Sequence, residues 1–260
     1  MIRNRSTRRR AAIAATLGLL ALNPFGDLPT TGEAVQGAPE QVVSAAVSSR
    51  PVTPRWNPCQ AAITYRVNID LSSLTASGRL RALRDVQHAV ALTSAATGIR
   101  FRFVGTTHGA PTGPPWSLHT GDVELLIAWV QPGRSTAVLL GRSPHGAVDG
   151  TGGYSYHSWS AGGSAPLRAV IDRGFVVLNS ARRDAYAAGF GPGVTRGELL
   201  LHELGHAMGL RHTEDRGQIM YPTIVRRPRA VFESGDLAAL RIRGRAEGCV
   251  TVPNAAPDLS

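Results

Sequence analysis

The sequence predicts an α+β fold: a twisted mixed β-sheet with two long helices, the second followed by a tight turn and a C-terminal helix. Three observations carry this. Several short stretches alternate apolar and polar residues, or run apolar over strand-like lengths. Two longer stretches, 77–97 and 195–208, repeat apolar residues at helical spacing. The order is strand, helix and more strands before the second helix, which suits a mixed sheet with helices packed on it.

In chain order, residues 62–69 alternate as a strand should. Residues 77–97 read as a helix with Leu80, Leu83, Val86, Val90 and Ala91 on one face and Gly98 ending it. A second alternation covers 99–104. The run 123–130 is continuously apolar, as in a strand buried on both faces. From 132 to 163 the chain is Gly-rich, with a short strand around 154–159, and 168–179 supplies another strand. Helix 195–208 has a capping box: Thr195 caps it and the Glu198 side chain is expected to reach back. Ser234 is the expected cap of a last helix, 234–243, with Leu237, Leu240 and Ile242 as its apolar residues. There is no internal repeat.

The chain of 260 residues can bury a full core. Its net charge is +10, and all 28 basic residues are Arg. They are spread along the chain and form no recognisable nucleic-acid module, so nucleic acid is not an expected partner. At the N-terminus Arg3, Arg5 and the arginines at 8–10 precede a short apolar run at 11–22, the layout of an export signal. That run is too short to span a bilayer comfortably, so membrane contact is expected only through the signal. The expected organisation is a signal and linker or short pro-segment over 1–55, a folded domain over 56–250, and a tail over 251–260. In an oxidising compartment Cys59 and Cys249 could pair and tie the start of the domain to its end; the alternative is two separate buried thiols.

His202-Glu203-Leu204-Gly205-His206 is H-E-x-x-H. Four residues make one helical turn, so both imidazoles leave the same face and can reach one ion. Glu203 lies beside the first ligand without having to bind the metal itself. Gly209 and His212 extend the pattern to H-E-x-x-H-x-x-G-x-x-H. A third histidine on a continuing helix would lie too far along the axis, so the chain must leave sharply, and glycine tolerates the left-handed turn this needs. Three neutral imidazoles would hold zinc and leave a fourth position for water.

These residues, with Ile219-Met220-Tyr221-Pro222 following, resemble the signature of the metzincin zinc peptidases. The Met-Tyr-Pro form is similar to the matrixins, and to secreted bacterial peptidases of the matrixin type. The resemblance implies a metzincin fold and a Met-turn whose Met220 forms an apolar floor under the metal without ligating it. It also implies an edge strand near 154–159 that receives the substrate. Asp149-Gly150-x-Gly152-Gly153-x-x-x-His157 resembles the family's Gly-rich segment, which brings calcium and a second zinc as further candidate ions. Val170 stands where that second zinc site would want a histidine, and His145 is spaced differently from Asp149, so Asp149 reads as a turn residue. His88, His108 and His119 read as surface or otherwise satisfied residues.

The expected activity is that of a secreted, monomeric zinc endopeptidase, hydrolysing peptide bonds through a zinc-activated water with Glu203 as base. Two rivals share the site: a zinc hydrolase of non-protein amides, and a catalytically silent secreted binding module. The segment 222–229 should wall a specificity pocket, with Ile224 where matrixins often carry tyrosine, and Arg226, Arg227 and Arg229 as a solvated charge run.

Overall fold

The computed structural model describes residues 53–114, 117–132, 148–159 and 168–251. The signal, almost all of the linker, His145, and the tail from 252 onward lie outside the described residues. Among the described residues no helix is long and apolar enough to cross a membrane.

Five strands form one sheet: β1 (Ile63–Asn68), β2 (Phe101–Thr106), β3 (Leu125–Val130), β4 (Gly150–Trp159) and β5 (Arg168–Asn179), in the order β2-β1-β3-β5-β4. The first four in that order run parallel, and β4 closes the edge antiparallel to β5. This is the mixed sheet and α+β architecture that the element order predicts. All six residues of β3 are buried, because it lies centrally with apolar side chains packed on both faces.

Among the described residues three α-helices accompany the sheet: α1 (Ala76–Thr97), α2 (Arg196–Ala207) and α3 (Ser234–Arg243). The main core lies between the sheet and the helices, with Trp56, Ile63, Val86, Ile127, Leu200 and Leu204 among its members. The buried face of α1 is the expected one in part: Val86 and Val90 are buried and Leu83 packs against the core. Leu80 is 53% exposed and Ala91 is also on the surface, while Ala82, Val86, Ala89, Val90, Thr93 and Ala96 face inward. Small residues let the helix lie close, and the Thr93 and Thr97 hydroxyls donate to the carbonyls one turn back. Ile242 on α3 is likewise exposed.

Two helix starts also differ in detail. Thr195 accepts from the Glu198 N–H, but the Glu198 carboxylate turns to Arg227 instead of back to the cap. A full positive charge is the stronger partner for a buried carboxylate. At α3 the cap is Glu233, not Ser234, and Asp236 accepts from the Glu233 N–H.

The strand expected around 154–159 begins earlier, at Gly150, so the Gly-rich stretch holds the first half of β4. Here β4 crosses directly over α2, and a Cβ on Gly152 would overlap the Glu203 carbonyl oxygen. Glycine permits this approach, so its scarcity of side chains is what seats the strand against the helix. The first and last parts of the described domain meet behind α2. Trp56 Nε1 donates to the Ala207 carbonyl at 2.9 Å, Cys59 and Cys249 are joined, and Asn57 and Val250 hydrogen-bond reciprocally.

Candidate metal centre

The site is built on the last turns of α2. His202 is buried and His206 is half-buried one turn on. Gly209, at φ +92°, breaks the helix, with the Leu210 N–H turning back to the Gly205 carbonyl at 2.9 Å. Three residues later His212 faces the other two. The Nε2 atoms of the three lie 3.2 Å (202–206), 3.0 Å (206–212) and 3.2 Å (202–212) apart. Ligands about 2.0–2.1 Å from a tetrahedral zinc sit roughly 3.3 Å from one another, so this triangle fits one such ion with little adjustment.

The opposite ring nitrogens are fixed by backbone. His202 Nδ1 donates to the Ile219 carbonyl at 2.8 Å and His206 Nδ1 to the Leu210 carbonyl at 3.0 Å. Those bonds set the tautomer that turns each Nε2 lone pair toward the common point. Burial, then the neighbouring His206 ring, holds His202 well below the usual histidine range, so it stays neutral as a ligand must. Among the described residues this is the one group of three or more His, Cys, Asp or Glu side chains close enough to share a metal ion.

Met220 is buried, with its sulfur against Gly205 of the metal-site helix turn. Its turn is held by a residue that the sequence did not flag. Asp236, on the first turn of α3, accepts from the Ile219 N–H at 2.7 Å and the Met220 N–H at 3.2 Å. An acidic residue in the first turn of a helix was the only available signal, and it is common.

Glu203 is 2% exposed and lies under β4. Burial pushes its carboxyl up to about 8; a hydrogen bond from the Gly152 N–H opposes this and the charge of Asp149 adds to it. Asp149 is more than a turn residue. It accepts from Arg182 at 2.7 Å and from the Tyr186 hydroxyl at 2.6 Å, pinning the start of β4 to the segment after β5. His157 pairs with Asp172 at 2.8 Å on the outer part of the sheet, and Ser155 also donates to Asp172. His108 pairs with Asp70, and His88 packs edge-on to Phe190.

The arginines after the Met-turn do not form one solvated run. Arg226 and Arg229 are exposed, but the Arg227 side chain is only 10% exposed and pairs with the buried Glu198 at 2.7 Å. A buried carboxylate on α2 draws it inward, which spacing alone could not show.

Residues 147–241 match the matrixin family of peptidases. The stretch takes in β4, β5, α2, the Met220 turn and most of α3. The chain is also similar to a matrilysin from Felis catus, 34% identical over 85 residues, which is 32% of this chain and 29% of that protein. The aligned part therefore spans less than a third of that relative.

Proposed function

We propose that this chain, a matrixin-like metzincin, is a secreted zinc-dependent endopeptidase whose catalytic unit extends over residues 56–250. The observation that carries this reading is the triangle of Nε2 atoms with the Glu203 carboxylate one residue from its first member. His202, His206 and His212 would hold the metal. When bound, zinc supplies a Lewis acid that activates water and polarises a carbonyl.

The protein's own groups do the rest. Glu203 accepts the proton released as water attacks the scissile carbonyl, then delivers it to the departing amine. Its position under β4, with the Gly152 N–H on its carboxylate, keeps it close to the histidines and away from bulk solvent. β4 is the terminal strand, so its outer edge can pair with an extended peptide main chain. Such pairing gives affinity with little side-chain preference, and selectivity falls to pocket walls, among them the half-buried Ile224. Export is supported by the basic and apolar N-terminal layout and by the joined Cys59 and Cys249, which suit an oxidising compartment.

The test is Glu203→Ala, read by zinc content and by peptide cleavage together. The variant should bind one zinc per chain, as the parent does, and lose cleavage. Full cleavage by the variant would remove Glu203 from the chemistry, and a parent that binds no zinc would remove the metal reading.

A further inference from the structure

Arg227 is tied to more than one partner. Its Nε donates to Glu198 Oε1 at 2.7 Å, Nη1 to the Gly217 carbonyl and Nη2 to the Gln218 carbonyl, both at 2.5 Å. Its backbone bridges Gly193 in both directions, and the Val225 N–H also donates to Glu198 Oε1 at 3.2 Å. Glu198 stands one helical turn before His202 on α2, and its carboxylate is buried. One guanidinium therefore joins the helix that carries the ligands to the loop that precedes Met220.

The consequence lies in the peptide planes. The Gln218 carbonyl is held by Arg227, and the N–H of the same peptide, on Ile219, is held by Asp236 at 2.7 Å. With that plane fixed at both ends, the next one is constrained too. Its N–H, on Met220, goes to Asp236, and its carbonyl, on Ile219, accepts from His202 Nδ1 at 2.8 Å. A carbonyl that fixes the far nitrogen of a ligating imidazole sets where the near nitrogen points.

We infer that Arg227, anchored by Glu198, is a positioning residue for the metal site: it clamps the 217–218 carbonyls so that the Ile219 carbonyl aims the His202 ring at the ion. This rests on the three-histidine reading given above. Planarity matters here, because the guanidinium offers three donors in one rigid fork to a carboxylate and two carbonyls. Lysine could keep the charge opposite Glu198 but could not span all three.

A matched control is available in the same helix. Arg196, two positions before Glu198, makes a second largely buried ion pair, with Asp85 at 2.5 Å, but it ties α2 to α1 and leads to no ligand. Zinc affinity of the full chain would be measured by competition with a chromophoric chelator, alongside the visible spectrum of the cobalt-loaded protein and the melting temperature of the metal-free protein. Arg227→Ala and Arg227→Lys should each lose about 10–100-fold in zinc affinity and shift the cobalt bands. Arg227→Lys should recover most of the melting temperature lost in Arg227→Ala, so it reads the site even if the alanine variant folds poorly. Asp85→Asn should lower the melting temperature and leave zinc affinity and the cobalt bands at the parent's values. Parent-like affinity and bands in Arg227→Lys, or an equal loss in Asp85→Asn, would overturn the inference while leaving the metal site standing. If the parent itself takes up no zinc, both readings fall.

Discussion

At the scale of single residues, the site depends on a few atoms whose neighbours leave them little choice. His212 enters the triangle only because Gly209 turns the chain at φ +92°, a conformation that costs a side-chain-bearing residue about 1–2 kcal/mol. Gly209→Ala should therefore lower stability by roughly that amount and weaken zinc binding at the same time, which chemical denaturation and a chelator titration can measure together. His212→Ala should cost more affinity than the roughly 10–100-fold that follows loss of a supporting hydrogen bond, because it removes a ligand outright. Unchanged zinc affinity in that variant would place the third ligand elsewhere. Gly152→Ala addresses the other wall. Its methyl group would meet the Glu203 carbonyl oxygen, so β4 must lift from α2. We expect a loss of about 1–3 kcal/mol in stability and a larger fall in kcat than in zinc content.

At the scale of elements, the sequence was most informative where a periodic or continuous apolar pattern is sustained. The bounds of β5 and of α3 are those read from the sequence, and α2 runs Arg196–Ala207 against an expected 195–208. Helix α1 shows where such reading stops. The apolar pattern favoured Leu80 and Ala91, but the helix packs by its small residues, and which face that is depends on the sheet beneath it. The first half of β4 was missed for a related reason. Glycine lacks a strand signature, and its presence is explained only by the helix that the strand crosses. The five fixed residues of the H-E-x-x-H pattern and its extension, His202, Glu203, His206, Gly209 and His212, were legible because spacing along one helix and one turn encodes them. Asp236, Asp149, Glu198 and Arg227 were not, because their partners lie far along the chain, and charge in a sequence does not say which carboxylate it will meet. Asp236→Ala tests the weight of one such residue. It would strip the acceptor from two buried backbone N–H groups, and unfolding measurements should show a loss of about 2–3 kcal/mol.

At the scale of the whole molecule, the two ends of the described domain are fastened together behind α2, the helix that carries His202 and His206. The Cys59–Cys249 bridge closes a separation of 190 residues, and Arg55 donates to the Glu247 and Gly248 carbonyls beside it. Chain-entropy reasoning gives a bridge over so long a loop up to about 5 kcal/mol. Replacing both cysteines by serine should lower stability by about 2–5 kcal/mol, visible as a reduced denaturant midpoint. The same frame, from Trp56 on the Ala207 carbonyl to α3 on the Met220 turn, supports a preformed site, so activity should not require large rearrangement. A zinc-dependent endopeptidase is tested most directly by a peptide-library digest of the full chain, read by mass spectrometry with and without a zinc chelator. The full chain should cleave internal peptide bonds, stop on chelation and resume when zinc is restored. Cleavage indifferent to the chelator, or no cleavage by protein that carries one zinc per chain, would contradict that activity.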